Sequence, residues 1–211
     1  MRKRPIKGKV FCIGLNKTGT TSWTQAMSDM GYMLGNERAA EVFFDDWVRN
    51  DYSRILHFCS SGEAFQDIPF SLSGIYRELY KAFPDGKFIL TVRDSAEQWY
   101  RSVTRFHAKA WSPGGNCPPT PMDLKRTVYI YRGWPARFCR KVFKTSAEDP
   151  YNYESLLKFY ERHLEDVTDY FSNKPGSFLM INVAEAGALK KMCGFIGVSY
   201  SGGEFPWRNR T

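Results

Sequence analysis

The alternation of short apolar runs with longer segments of helical spacing constrains the fold of this chain more than any other feature. Three runs, at 9–15, 87–93 and 177–183, are rich in β-forming residues and have the length of buried strands. Each run is followed by a segment with helical periodicity: 21–31, 95–111 and 188–197. Strands that alternate with helices predict an α/β fold, in which helices flank both faces of a central parallel β-sheet.

Three further segments, 36–56, 71–83 and 151–171, also have helical spacing. The start of the helix over 95–111 is marked by a capping-box pattern, because Ser95 is followed three residues later by Gln98. This pattern predicts a helix that begins directly after the second apolar run.

The segment 112–123 is rich in proline and glycine and is predicted to be irregular. An irregular stretch of this length is unusual inside a compact domain, so we expect a lid or a flexible insertion over about 108–125. The 211 residues otherwise have the length of one domain, and a single domain over 1–211 is predicted.

The net charge of +8 suits a nucleic acid, a membrane surface or a small anionic ligand as the partner. Basic residues are dense only at 1–9 and 137–144, and neither zinc-finger spacing nor an aromatic RNA-binding signature is present. We therefore expect no nucleic-acid partner. No run reaches the roughly 18 apolar residues that a membrane span needs, so no span is expected either.

The five cysteines contain no CxxC pair, and several of them lie within apolar runs: Cys12, Cys59, Cys117, Cys139 and Cys193. An odd count without metal-site spacing predicts buried free thiols in a reducing compartment, and hence a cytoplasmic protein. No signal peptide is recognisable at the start of the sequence. A membrane anchor removed from the sequence stays open as an alternative.

The first apolar run ends in a turn rich in glycine, threonine and lysine, GLNKTGTTS at 14–22. A strand that turns through glycine into a helix start binds anions, because backbone N–H groups and the helix dipole point at the same place. Gly19 allows the backbone to approach a ligand closely, and Lys17 adds a full positive charge. Hydroxyl donors follow at Thr20, Thr21 and Ser22. A plain strand-to-helix turn with polar caps is the alternative.

The position of the lysine separates this turn from the usual nucleotide loop, in which the lysine follows the second glycine. Here Lys17 precedes Gly19. The later apolar runs end in Arg93 and Asn182, so no carboxylate stands where a magnesium ligand is expected. The sequence therefore predicts a diphosphate-like group that is transferred without a metal, and a phosphosulfate fits that description.

Three stretches together resemble one family. GLNKTGTTS resembles the 5′-phosphosulfate loop of the sulfotransferases that use 3′-phosphoadenosine-5′-phosphosulfate, and FILTVRDSAEQWYRS (88–102) resembles their 3′-phosphate motif. The tail resembles the C-terminal half of the smaller P-loop sulfotransferases. The resemblance runs from about 9 to 209, with a gap at 108–148. It implies a three-layer P-loop-like fold, sulfuryl transfer, and adenosine 3′,5′-bisphosphate as the second product.

The resemblance also implies roles for individual residues. Lys17 is expected to contact the bridging oxygen and the sulfuryl group, and Arg93 to pair with the 3′-phosphate through its guanidinium fork. The family's serine stands eight residues after this arginine, where the chain has Arg101. A one-residue bulge restores Ser102, which we favour; otherwise Arg101 binds the phosphate. The full set of expected donor-binding residues is Asn16, Lys17, Thr18, Gly19, Thr20, Thr21, Ser22, Arg93, Arg101, Ser102 and Arg208. Arg208, with Arg210, is alternatively only a charged terminus.

Asp67 is the predicted general base. Cytosolic sulfotransferases carry a catalytic histidine in a His-x-Pro stretch, and Asp67-Ile68-Pro69 stands at the matching place. Its apolar surroundings predict a raised pKa, suited to a base. A turn or cap role is the alternative. His57, His107 and His163 are expected to be packed or surface residues, and the Asp45-Asp46 pair is a weaker rival interpreted as a solvated helix face.

The predicted function is transfer of a sulfuryl group to a hydroxyl, or less favourably an amine, of a small-molecule or carbohydrate acceptor. A P-loop kinase-like phosphotransferase and a non-catalytic nucleotide-binding module are the alternatives. The segment 108–125 and the aromatic residues Phe43, Phe44 and Trp47 are expected to shape the acceptor pocket. Trp23 either stacks on the adenine or belongs to the core. The sequence predicts no oligomeric state.

Overall fold

The computed structural model of the protein describes residues 8–199 and 202–206. It has four strands: β1 (Val10–Cys12), β2 (Ala64–Phe65), β3 (Lys87–Thr91) and β4 (Phe178–Ile181). The helices are α1 (Thr20–Asp29), α2 (Glu37–Ala40), α3 (Phe44–Val48), α4 (Ser53–Phe58), α5 (Ile75–Ala82), α6 (Ala96–Trp111), α7 (Pro121–Arg126), α8 (Trp134–Phe138), α9 (Tyr153–Phe171) and α10 (Ala188–Ile196). Short 3-10 turns occupy Glu41–Phe43 and Cys59–Ser61, and a π-helical turn occupies Cys139–Phe143.

The chain divides into two compact units. Of the described residues, the first unit holds 8–92, 167–199 and 202–206, and the second unit holds 93–166. All four strands belong to the first unit, and α9 runs from the second unit into the first. The single domain predicted over 1–211 stays a prediction.

The sheet of the first unit is entirely parallel, with strand order β2-β1-β3-β4. β1 pairs with β3 in the register Phe11 to Phe88, and β3 pairs with β4 in the register Phe88 to Phe178. The predicted α/β fold with a central parallel sheet is confirmed. The two-residue strand β2 was not predicted, because two residues are too few to show a periodic pattern.

Alternate residues of the strands face two different helical layers, as the pleat of a strand requires. On one face, Cys12, Ile89 and Ile181 pack against Trp23 of α1 and Met192 of α10. The other face is aromatic: the ring of Phe11 lies 5.2 Å from that of Phe88, and Phe178 stacks on Phe171 of α9 at 5.1 Å. The three layers of the first unit are therefore held together by apolar contacts on both faces of the sheet.

Aromatic residues also form the core of the second unit. Trp99 stacks on Tyr160 at 5.2 Å, and the ring of Trp111 lies 3.8 Å from that of His107. His107 is 2% exposed, and its Nδ1 lies 2.9 Å from the hydroxyl of Tyr151. The expectation that His107 is a packed residue is confirmed, and Trp111 serves this core.

The predicted helical region 36–56 divides into the short helices α2, α3 and α4, and the chain between α3 and α4 passes through Asn50 in the left-handed conformation. Two predicted boundaries were wrong. The helix predicted to start at 71 begins at Ile75. Residues 121–123, predicted to be irregular, begin α7 instead, because Thr120 and Asp123 form a complete capping box with a proline at the first turn.

Asp123 also fastens the irregular segment that precedes α7. Its carboxylate accepts hydrogen bonds from the Ser112 hydroxyl, the Asn116 amide and the Thr120 backbone N–H. These bonds, led by the Thr120 backbone N–H, lower the pKa of Asp123 to about 2. The lid or flexible insertion over 108–125 stays a prediction.

The cysteine prediction holds for four of the five residues. Cys12, Cys59, Cys139 and Cys193 are buried free thiols, whereas Cys117 is exposed, because it lies in the loop before α7 rather than on a strand or helix. Among the described helices, none combines the length and the apolar character that a membrane span requires.

Candidate active site

The turn from β1 to α1 carries most of the predicted donor-binding residues. It leaves the sheet after Cys12, where the Ile13 N–H still donates to the Ile89 carbonyl at 2.8 Å. It then passes through two left-handed residues, Lys17 with φ 72° and Gly19 with φ 99°. A Cβ on Gly19 would lie 2.2 Å from a methyl carbon of Val183, so this position needs glycine for space as well as for conformation.

A chain of buried side-chain hydrogen bonds braces this turn. The Thr18 hydroxyl donates to the Leu15 carbonyl at 2.6 Å, so in its 2.6 Å contact with Thr91 the Thr91 hydroxyl must donate. The proton in the 3.6 Å contact between Cys12 and Thr91 then comes from the Cys12 thiol, whose pKa burial raises to about 11. Thr18 is 1% exposed, so its side chain holds the turn to β3.

At Gly14 the turn lies directly against β3. A Cβ added there would lie 2.1 Å from Thr91 Oγ1 and 2.6 Å from the Thr91 carbonyl oxygen. The second contact is with backbone, which cannot rotate away. Gly14 therefore fixes the distance between the end of β1 and the end of β3.

We expect Gly14→Ala to lower the free energy of unfolding by about 1–3 kcal/mol, because the methyl group is forced against the β3 backbone. Gly194→Ala is the matched control: outside its own helix backbone and its two chain neighbours, this helical glycine has no atom within 4 Å of its Cβ position, and alanine favours a helix by up to about 1 kcal/mol. Thermal unfolding of both variants measures the difference. Equal melting temperatures would contradict the close approach.

The first turn of α1 presents backbone donors without acceptors. Gly19 is the N-cap and supplies no side-chain acceptor. In the described part of the chain, the N–H groups of Thr20, Thr21 and Ser22 donate to no protein group, as is usual for the first turn of a helix. Thr21 is exposed, while Thr20 and Ser22 are 8% and 7% exposed. The turn can therefore bind an anion at the helix start.

Asp67 is joined to this turn by a direct hydrogen bond. The Asn16 amide donates to Asp67 Oδ1 at 2.7 Å, and the Ile68 N–H donates to the same oxygen at 2.7 Å. The side-chain amide oxygen of Asn16 in turn accepts a hydrogen bond from the Ser71 hydroxyl at 3.2 Å. The structure thus brings together the residue before Lys17 and the predicted base, which are 51 positions apart in sequence.

The pKa of Asp67 is raised from its ordinary value of 3.8 to about 6. Burial of the carboxyl group is the main cause, and the nearby carboxylates of Glu37 and Glu41 add to it. The hydrogen bonds from Ile68 and Asn16 oppose the shift. A carboxyl group with this pKa is largely ionised at neutral pH and can accept a proton. Asp67 also takes the turn role considered as the alternative, since its carbonyl accepts from the Ser71 N–H at 2.9 Å.

The other residues considered as a base or as a cofactor contact are packed in the interior or lie on the surface. His163 is 3% exposed, while His57 lies on the surface. The interpretation of Asp46 as part of a solvated face was wrong: it is 2% exposed and pairs with Arg49 and Arg54, since the short α3 turns it inward. Trp23 is fully buried in the core beneath α1.

The residues of the second predicted motif line one pocket in the second unit. It encloses about 160 Å³ and is bordered by Arg93, Gln98, Arg101, Ser102 and Arg105. The last four are spaced i, i+3, i+4 and i+7 along α6, so they share one helical face. Three guanidinium groups, an amide and a hydroxyl, without a carboxylate in the lining, favour an anion.

The backbone of Arg93 holds this residue just before the N-terminus of α6. Its N–H donates to the Tyr160 hydroxyl at 2.8 Å, and Tyr160 is itself fixed by stacking on Trp99. Burial lowers the pKa of the Arg93 guanidinium from its ordinary value, although an arginine remains charged at neutral pH. The helix that follows starts as predicted, with the Ser95 hydroxyl accepting from the Gln98 N–H at 3.2 Å.

A family model described as a sulfotransferase domain matches residues 9–211, which is nearly the whole chain. The chain belongs to the sulfotransferase family. No curated protein matches it. The protein is therefore a transferase whose general activity is the transfer of a sulfuryl group.

No bulge is needed in this sulfotransferase for Ser102 to lie beside the predicted 3′-phosphate pocket together with Arg101. α6 is a continuous α-helix over Ala96–Trp111, and both residues border the same pocket because neighbouring positions can share a helical face. Ser102 is 5% exposed and lies deep, whereas Arg101 is exposed. Arg105 was not predicted from the sequence, although its helical spacing from Gln98 and Arg101 is visible there.

The remaining predicted residue of the sulfotransferase, Arg208, lies outside the described residues, as does Arg210. Of the aromatic residues expected near the acceptor, Phe44 is fully buried and Phe43 is 9% exposed, so both take part in core packing. The indole N–H of Trp47 donates to the Ser73 carbonyl at 3.1 Å.

Proposed function

We propose that the protein transfers a sulfuryl group from 3′-phosphoadenosine-5′-phosphosulfate to an acceptor hydroxyl, by in-line attack and without a metal. Adenosine 3′,5′-bisphosphate is the second product. The sulfotransferase family supplies the general activity. The donor, the hydroxyl acceptor and the absence of a metal are our own assignments.

The observation that carries the proposal is the uncapped start of α1 beside Lys17. Three consecutive N–H groups, of Thr20, Thr21 and Ser22, have no acceptor in the described residues, and the helix dipole adds partial positive charge there. This donor set fits the 5′-phosphate of the donor. The donor itself supplies a sulfuryl group attached to a phosphate leaving group.

Two side chains of the first unit take the chemical roles. The ionised Asp67 carboxylate accepts the proton of the acceptor hydroxyl while the new sulfur–oxygen bond forms. Lys17 donates to the oxygen of the bond that breaks, where negative charge develops on the departing bisphosphate. Asn16 acts as a positioning residue, because its amide holds the Asp67 carboxylate.

The pocket on α6 is assigned to the 3′-phosphate of the donor. Arg93, Arg101 and Arg105 provide guanidinium donors, and Ser102 provides a buried hydroxyl. Charge-assisted bonds from several arginines suit a phosphate dianion. Thr18 contributes through its bracing of the turn, and Arg208 remains a candidate by resemblance.

A small-molecule or carbohydrate acceptor and a cytoplasmic location complete the proposal. The location rests on the five free thiols, which suit a reducing compartment. The acceptor assignment rests on the family's chemistry.

Ligand-induced thermal stabilisation tests the donor assignment. We expect adenosine 3′,5′-bisphosphate to raise the melting temperature, because a ligand that binds the folded state at 100 times its Kd stabilises by about 2.7 kcal/mol. Mg·ATP is the comparison. Stabilisation by Mg·ATP alone would overturn the proposal in favour of a phosphotransferase. Stabilisation by the bisphosphate, with no transfer to any of a panel of phenols, alcohols and sugars, would instead indicate a binding module.

We expect Arg105→Ala to weaken binding of adenosine 3′,5′-bisphosphate by roughly tenfold or more, because one charge-assisted hydrogen bond to the 3′-phosphate is lost. Arg162→Ala, at an exposed arginine of α9 that does not border the pocket, removes the same charge and is the control. Isothermal titration calorimetry measures both. Adenosine 5′-monophosphate, which lacks the 3′-phosphate, should bind both variants equally, and a difference there would place the effect elsewhere.

A further inference from the structure

A second cationic pocket, distinct from the one on α6, lies in the second unit. It encloses about 250 Å³ between α7, α8 and the segment 146–150. Lys125, Arg137 and Arg140 supply its cations, and Ser146 supplies a hydroxyl. Leu124 and Pro150 are among the residues that form its apolar wall. None of the roles assigned above uses this pocket.

The polar groups of this pocket are donors. The side chains of Lys125 and Arg140 form no hydrogen bond or ion pair with any residue that the structure describes. The Ser146 oxygen accepts from the Asp149 N–H at 3.1 Å, which leaves the hydroxyl proton for a ligand. The lining contains no carboxylate. The ammonium of Lys125, the guanidinium of Arg140 and the hydroxyl of Ser146 are donors in one lining without a carboxylate, which suits an oxyanion.

The surrounding sequence strengthens the positive field of this pocket. Residues 121–144 contain seven lysines and arginines against a single acidic residue, a net charge of +6 out of +8 for the whole chain. That acidic residue is Asp123, whose carboxylate is held by Ser112, Asn116 and Thr120. Glu148 and Asp149, in the pocket's own segment 146–150, reduce the surplus over 121–150 to +4, which still attracts an anion.

The size and the walls of the pocket limit the ligand. A volume of about 250 Å³ lies just below the roughly 300–1,000 Å³ that is usual for ligand pockets, so the ligand is small. The apolar wall gives it a second point of attachment besides the anion. A single ring or short apolar body that carries one phosphate, sulfate or carboxylate group meets both conditions.

We infer that this pocket is a binding site for a small organic anion, with Lys125, Arg137 and Arg140 around the anionic group and the apolar wall against the body of the ligand. The inference rests on the second unit alone and does not depend on the proposed sulfuryl transfer.

Two-dimensional NMR titration of the full chain with phenyl phosphate tests this inference. We expect shifts at residues around the pocket, and roughly tenfold weaker binding in Lys125→Ala and in Arg140→Ala. Arg126→Ala and Lys141→Ala are matched controls, since each removes one exposed cation of the same segment that does not line the pocket. Their affinities should equal that of the unaltered chain. Binding should persist when saturating adenosine 3′,5′-bisphosphate is added.

Each other outcome overturns the inference. Equal weakening in all four variants would mean diffuse attraction by the basic segment. Inorganic phosphate that binds as tightly as phenyl phosphate would mean that the apolar wall contributes nothing. Displacement by adenosine 3′,5′-bisphosphate would make the pocket part of the donor site. Binding of heparin, without binding of phenyl phosphate, would identify a surface for a polyanion instead.

Discussion

Lys17→Ala is expected to reduce the rate of sulfuryl transfer by roughly 10²–10³-fold, which corresponds to the loss of one preorganised donor to a developing negative charge. The reduction should be in kcat, because the charge on the departing bisphosphate grows only in the transition state. Both residues carry a Cβ, so the substitution adds no strain to the left-handed backbone at position 17. Initial rates with a radiolabelled donor measure the effect.

Lys190→Ala is the control for this experiment, since it removes one exposed positive charge from α10 in the same unit. Its kcat should equal that of the unaltered enzyme. Near-full activity of Lys17→Ala, in protein whose melting temperature is unchanged, would mean that the turn at 14–22 does not hold the reacting group.

Asp67→Asn is expected to lower kcat by roughly 10²–10⁴-fold, the usual contribution of a general base. The replacement is conservative in structure: an amide oxygen can still accept from Asn16 and Ile68, and asparagine tolerates the φ of 63° found at this position. The loss should therefore report on proton acceptance. Near-full activity would reduce Asp67 to its turn role.

The pH profile gives an independent test of Asp67. A base must be ionised to act, so kcat/KM should rise as the pH passes through about 6, the pKa of Asp67, and level off above it. Asp67→Asn should remove this rise. Transfer rates measured between pH 5 and 8 in both proteins show whether the acidic limb belongs to this residue.

The raised pKa has a consequence for stability with a definite sign. Because the folded protein holds the Asp67 proton more tightly than the unfolded chain, the free energy of unfolding should fall as the pH rises from about 4 to about 6. Asp67→Asn removes this contribution and should unfold no earlier than the unaltered protein at pH 7. Chemical unfolding of both proteins at pH 4 and pH 7 shows whether Asp67→Asn removes only the base or also damages the fold.

Much of the first unit could be predicted because its signals are local. The apolar runs at 9–15, 87–93 and 177–183 each produced a strand, and the segments after them each produced a helix, because strand and helix periods are properties of consecutive residues. The helix at 121–126 was not predicted, because a capping box there outweighs the proline-rich composition of the segment. The region 36–56 was predicted to be helical, but the breaks between its short helices were not located.

The sequence by itself determined a turn suited to anion binding, since a strand, a left-handed glycine and a helix start are encoded within about a dozen consecutive residues. Only the tertiary structure decided that Asn16 holds Asp67 and that Thr18 bonds to Thr91, across 51 and 73 positions of sequence. It also decided that Arg105 joins Arg93 in one pocket and that Asp46 is buried. Such pairings depend on which strands are neighbours and which helical face turns inward, and no short stretch of sequence contains that information.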